Sequence, residues 1–158
     1  MESYREIIDE LDFTGLIQSR LDVCIAVMQR AVDNKRVFDL NNWQIVDFGE
    51  SIKNTEEELH NCGMAACFGG WLAVSPEFIA LGGGRSLVSG RPYFKSYYAE
   101  NAINAFLGLD YMKGIGDLLV MPSSRLYDGV YTEDITAQHV LDRLNYIKKV
   151  TSQTNEEL

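Results

Sequence analysis

His60-Asn-Cys-Gly-Met-Ala-Ala-Cys-Phe-Gly-Gly-Trp71 decides how this chain is read, together with Phe38-Asp-Leu-Asn-Asn-Trp43 upstream. The twelve-residue segment holds two cysteines, three glycines, a histidine and a tryptophan. The run from Met64 to Val74 predicts a short helix that is small and apolar on nearly every face, hence buried all round. Gly69 and Gly70 each cost about 1 kcal/mol relative to alanine inside a helix. The compensating reason is close approach of another backbone. Cys67, Gly70 and Val74 then line one buried face. Trp71 packs near Trp43 and Phe38, which explains why the two segments occur together. Pro76 ends the helix, because Ser75 before it is pushed out of the helical region.

Outward from this centre the pattern is helical. Tyr4, Ile7, Ile8 and Leu11 suit a short amphipathic helix. Thr14 is placed to cap a longer one reaching Asn34, in which Ile17, Leu21, Cys24, Ile25, Met28 and Val32 form a buried stripe. Cys24 reads as a small core residue. Val37 to Gly49 has no period and reads as irregular, and Ser51 to Leu59 as a polar, acidic, exposed loop or helical turn. The glycine-rich stretch from Gly82 to Tyr98 reads as an irregular loop or small hairpin. Tyr97 to Leu107 is helical again, with Gly108 as its left-handed cap. Asp110 starts a further short helix towards Val120. Ile135, Thr136 and Val140 make a hydrophobic staple for the last helix, Lys148 and Lys149 complement its C-terminal dipole, and Thr151 onward frays. The expectation is mainly α: one compact domain over 1–158, of five to six helices with an irregular central loop, and peripheral ends at 1–12 and 151–158.

Composition narrows the function. The 158 residues carry 14 basic and 23 acidic side chains, a net charge of −9, with 46% hydrophobic residues. Such a chain repels nucleic-acid phosphates and anionic lipid headgroups. No stretch approaches the length of a membrane-spanning helix. Three cysteines, an odd count, argue against a disulfide framework. A reduced, cytoplasmic protein is expected, with no direct nucleic-acid or membrane partner and no cofactor. Mimicry of nucleic-acid charge by the dispersed acid is a further alternative.

Phe-Asp-x-x-x-Trp at 38–43, then Cys-Gly-x-x-x-Cys-x-x-Gly-Trp at 62–71, resembles a family of small bacterial and phage proteins of unknown function. Leu107-Gly108-Leu109 and Ile135-Thr136 also match its habits, so the resemblance spans Phe38 to Ile147. Met64 stands where the family usually has threonine. The resemblance implies a predominantly helical domain, often in a phage context (a host cytoplasm), and no particular activity.

Chemistry offers two sharper readings. Cys62, before Gly63 at an expected helix N-terminus, could be an activated thiol with His139 as base, giving a cysteine hydrolase or transferase. His60 lies two residues from Cys62, awkward for in-line activation. His60, Cys62, Cys67 and His139 add up to a zinc-like donor set, but the spacing lacks the usual two close pairs, and no metal is expected. No phosphate-binding loop or nucleophile elbow is present. The favoured reading is architectural for Phe38, Trp43, Cys62, Gly63, Cys67, Gly70 and Trp71. The protein is then an accessory protein that binds a host protein, of host-takeover or anti-defence type. Its interface is expected on Arg85, Arg91, Tyr93, Phe94, Tyr97 and Tyr98, residue types enriched in interface hot spots.

Overall fold

A computed structural model describes residues 15–39, 43–44, 52–61, 66–87, 89–108 and 134–156. The elements in chain order are α1 (Gly15–Asp33), α2 (Glu56–Asn61), α3 (Phe68–Ala73), α4 (Pro76–Ala80), β1 (Gly83–Arg85), β2 (Pro92–Phe94), β3 (Tyr97–Tyr98), α5 (Ala99–Leu107) and α6 (Ala137–Glu156). The described chain is mainly helical, with a three-stranded antiparallel sheet in the order β1-β2-β3.

The long helices α1 and α6 pack antiparallel. Gln18 meets Thr151 and Ser152 at one end, and Asp22 pairs with Lys148 further along. Their apolar stripes (Ile17, Leu21, Cys24 and Met28 on α1; Val140, Leu144 and Ile147 on α6) enter one hydrophobic cluster, all at most 1% exposed. The same cluster takes in Leu59 of α2, Trp71 of α3, Phe78 of α4, Phe94 of β2 and Phe106 of α5. Each element is too short or too narrow to be stable alone, and burial of these faces is what holds it. No helix among the described residues is long and apolar enough to cross a membrane.

Several expectations need correction. Of the two alternatives for the glycine-rich stretch the structure takes the hairpin and adds a third strand, with Gly84 opposite Tyr93 and Tyr93 opposite Tyr98. The acidic segment takes its helical alternative as α2, but it is not exposed throughout, since Glu56 in its first turn and Leu59 are buried. The helix drawn from Met64 begins at Phe68, because Ala66 is extended and bridges Phe38. Pro76 separates α3 from α4 but also opens α4 at its first position, with the Ser75 hydroxyl accepting from Phe78 N–H at 3.3 Å. The last helix does not fray at Thr151. It runs to Glu156, and Thr151 is fully buried, donating to the Ile147 carbonyl at 2.8 Å. Lys148 therefore lies mid-helix and pairs with Asp22 instead of serving the C-terminal dipole.

Other expectations agree with the structure. Gly108 caps α5 in the left-handed region at φ 79°. Ile135 and Val140 are both buried around the start of α6. The helices expected at 2–11 and from Asp110 towards Val120, and the cap at Thr14, lie outside the described residues.

Candidate functional site

The two motif segments meet by backbone pairing. Asp39 N–H donates to the Ala66 carbonyl at 3.1 Å, and Ala66 N–H to the Val37 carbonyl at 3.3 Å. Trp71 closes the join, its indole N–H donating to the same Val37 carbonyl at 3.1 Å. Gly70 lies so close to the Trp43 carbonyl that a Cβ there would overlap it, and a Cβ on Gly69 would strike the Trp43 ring. Gly70 thus makes room for the Trp43 backbone and Gly69 for the Trp43 ring. Gln44 extends the join by holding the Lys53 peptide with both ends of its amide, at 2.9 and 3.0 Å. Among the described residues the join is made of backbone pairing and close packing, the chemistry of a clasp.

The clasp carries a second layer that the sequence did not reveal. Arg36, on the chain entering the clasp, stacks over the Trp71 ring at 5.3 Å from its centroid and pairs with Glu56. Arg30 of α1 grips Glu56 with two hydrogen bonds of 2.8 and 3.0 Å and Glu77 with two of 2.7 and 2.8 Å. Burial, followed by the nearby Arg30 guanidinium, lowers the Arg36 pKa from the usual arginine value. At Glu77 burial pushes the carboxyl up, but the Arg30 hydrogen bonds and charge outweigh it, so the net shift is down. Beside this network lies an open cavity of about 650 Å3, walled by Arg30, Arg36 and Glu56 on one side and Val74, Pro76 and Ile79 on the other. In the sequence, Glu56 reads as surface acid and Arg36 as half of an isolated basic pair. Nothing in their spacing to Arg30 announces that the three meet.

The expected interface residues divide between two faces of the sheet. Alternation along β2 turns Pro92 and Phe94 inward and Tyr93 outward. Phe94, at 5% exposure, belongs to the core, with its ring 5.5 Å from Phe106 and 6.0 Å from Phe78. Its assignment as a binding residue is corrected accordingly. Tyr93, Tyr97 and Tyr98 are 36%, 41% and 50% exposed. Tyr93 lies flat over Gly84, where any Cβ would enter its ring. Its own ring sits 5.9 Å from Tyr98 across the strand pair. Arg91 reaches over Tyr98, 5.1 Å from the ring centroid. Arg85 on the edge strand β1 is held by the Asn54 amide oxygen at 2.5 and 3.0 Å.

The thiol reading rests on Cys62, and the two described cysteines take the core and architectural places expected of them. Cys67 occupies the N-cap of α3, its sulfur accepting from Gly70 N–H at 3.4 Å. It is nonetheless fully buried, and desolvation overrides those hydrogen bonds, pushing its pKa up to about 12. Burial does the same to Cys24. Cys62 and Gly63 lie outside the described residues. His139 is bound into the start of α6: its Nδ1 accepts from Thr136 N–H at 2.9 Å, while its backbone N–H donates to the Thr136 hydroxyl at 3.3 Å. This is a capping box with histidine in the place of the usual glutamate. His60 is exposed on α2. Among the described residues, no group of three or more His, Cys, Asp or Glu side chains is placed to hold a metal ion.

No family model matches this chain, and no curated protein or solved structure is significantly similar to it.

Proposed function

We propose that this protein is a non-enzymatic accessory protein that works by binding another protein through the outer face of its small sheet. The observation that carries the reading is a pair of exposed tyrosines. Tyr93 and Tyr98 stand side by side on neighbouring strands of this face with Arg91 stacked over Tyr98, while Tyr97, opposite Phe94, is exposed at the other face. Tyr and Arg in such a cluster are among the commonest anchors of protein interfaces. The motif resemblance supports a phage or bacterial accessory role, with a host protein as the partner class and the cytoplasm as the place.

The test is capture from host lysate with tagged protein, comparing the parent chain with a Tyr93→Ala, Arg91→Ala double variant. The expected outcome is a prey present with the parent, lost with the variant, and an unchanged melting temperature. A prey retained by the double variant would overturn the assignment.

A further inference from the structure

We propose that the cavity at the junction of α1, α2 and α4 is a binding site for a small carboxylate with an apolar body. This site is separate from the sheet face and does not depend on the partner-binding reading above.

The first observation is a guanidinium that the fold buries without completing its bonds. The Arg36 side chain is only 9% exposed, yet its Nε has no hydrogen-bond partner. Arg36 meets Glu56 through Nη1 and lies over the Trp71 ring. The edge formed by Nε and Nη2 belongs to neither contact. That edge is the one with which arginine grips a carboxylate through two parallel hydrogen bonds. A buried donor without an acceptor is unfavourable, and a ligand oxygen at Nε removes that cost. The second observation is the cavity that Arg36 lines. Its volume of about 650 Å3 falls among the roughly 300–1,000 Å3 of small-molecule sites. The wall formed by Val74, Pro76, Ile79 and Ala80 is hydrocarbon, and Ile79 is 40% exposed, so an apolar body laid on it would leave water.

Charge selects an anion over a cation or a neutral acceptor. Glu56 divides its carboxylate between Arg30 and Arg36, while Arg30 takes Glu77 as well. Arg36 therefore shares its one counter-ion, and the neighbouring Arg30 charge disfavours its charged form. A carboxylate on the Nε–Nη2 edge gives Arg36 a second counter-ion. Glu57 in the same wall opposes an anion, but it is exposed and screened by solvent, whereas the Arg36 side chain is buried. The hydrocarbon wall then favours an organic carboxylate over a hydrated inorganic anion.

The experiment is isothermal titration of the full chain at neutral pH with three probes of one chain length: octanoate, octanamide and octylamine. Octanoate should bind saturably, and the amide and the amine at least about tenfold more weakly. Ile79→Glu, at an exposed position of the apolar wall, should keep the melting temperature and weaken octanoate binding at least about tenfold. Arg36→Lys keeps the charge and removes the fork, so the preference for octanoate over octanamide should collapse. If Arg36→Lys lowers the melting temperature, Ile79→Glu alone decides. The Tyr93→Ala, Arg91→Ala variant should bind octanoate as the parent does, which separates this site from the sheet face. No saturable binding of octanoate, equal binding of octanamide or octylamine, indifference to Ile79→Glu, or loss of octanoate binding in the Tyr93→Ala, Arg91→Ala variant would each overturn the proposal.

Discussion

Gly70 is where a single atom has the largest consequence. Its missing Cβ leaves room for the Trp43 carbonyl, which is backbone and cannot rotate away. Gly70→Ala should therefore destabilise by about 2 kcal/mol through overpacking, and Gly70→Leu by more, read as a lowered urea midpoint. A thermally intact Gly70→Leu protein would contradict the clasp. The buried thiols give a second prediction. Both Cys24 and Cys67 are raised from 9.0 to about 12 in the folded chain. A raised pKa stabilises the fold below the unfolded value, and that stabilisation is lost as pH rises through 9 towards 12. The protein should thus lose stability above pH 9, and less so in a Cys67→Ala variant once its own cap loss is subtracted at neutral pH. At neutral pH iodoacetamide should leave Cys24 and Cys67 unmodified until the chain is unfolded, as peptide mass mapping would show.

Besides their shared apolar cluster, the helices α1, α2 and α4 are joined by Arg30 and Arg36 closing on Glu56 and Glu77. Glu56 is the shared partner, and both it and Arg36 are more than nine-tenths buried. Glu56→Gln should cost about 3 kcal/mol, because it leaves Arg36 buried without its carboxylate. A double Arg36→Met, Glu56→Met variant should recover much of that loss, since the burden is the orphaned charge rather than the missing pair. Glu77 sets the acid limit of the same junction. Its carboxyl is held below the ordinary 4.5, so the stability it contributes is present above that value and lost as pH falls through it. The end of α6 is tied down in a comparable way. Gln18 donates to the Thr151 hydroxyl across the helix pair at 2.5 Å, so Thr151→Val should cost about 1 kcal/mol in thermal melts.

At the scale of the whole molecule, the span from Phe78 to Ala99 stands apart: it carries three basic residues and no acidic one in a chain of net charge −9. Attraction of a partner to this span should therefore depend on salt in the association rate more than in the dissociation rate. Stopped-flow mixing of the protein with a captured partner at two ionic strengths would check this. The Tyr93→Ala, Arg91→Ala variant should instead speed dissociation, because it removes packed contact as well as charge.

The long helices were legible in the sequence because their signal is local and repeated. The stripe from Ile17 to Met28, and that from Val140 to Ile147, recur at helical spacing over many residues, and Gly108 and Thr136 mark ends by chemistry that acts within one turn. The close approach at Gly69 and Gly70 was legible as well, since two glycines in a buried helix demand a neighbour. The sheet was not. Strands of two or three residues are too short for a two-residue period to stand out, so which of Tyr93, Phe94, Tyr97 and Tyr98 faced inward was settled only by pairing with β1 and by contact with Phe78 and Phe106. The helix start at Phe68 was likewise shifted by the Phe38–Ala66 bridge, a pairing between distant segments. The arginine network was hidden for the same reason. Arg30, Arg36, Glu56 and Glu77 are spread over 47 positions of sequence, each ordinary for a surface. The sequence by itself determined which stretches are helical and which faces must be buried, because those preferences belong to a residue and its neighbours. Tertiary structure decided the register of the sheet, the burial of Glu56 and the exposure of the tyrosines, because those depend on which distant segment arrives to cover them.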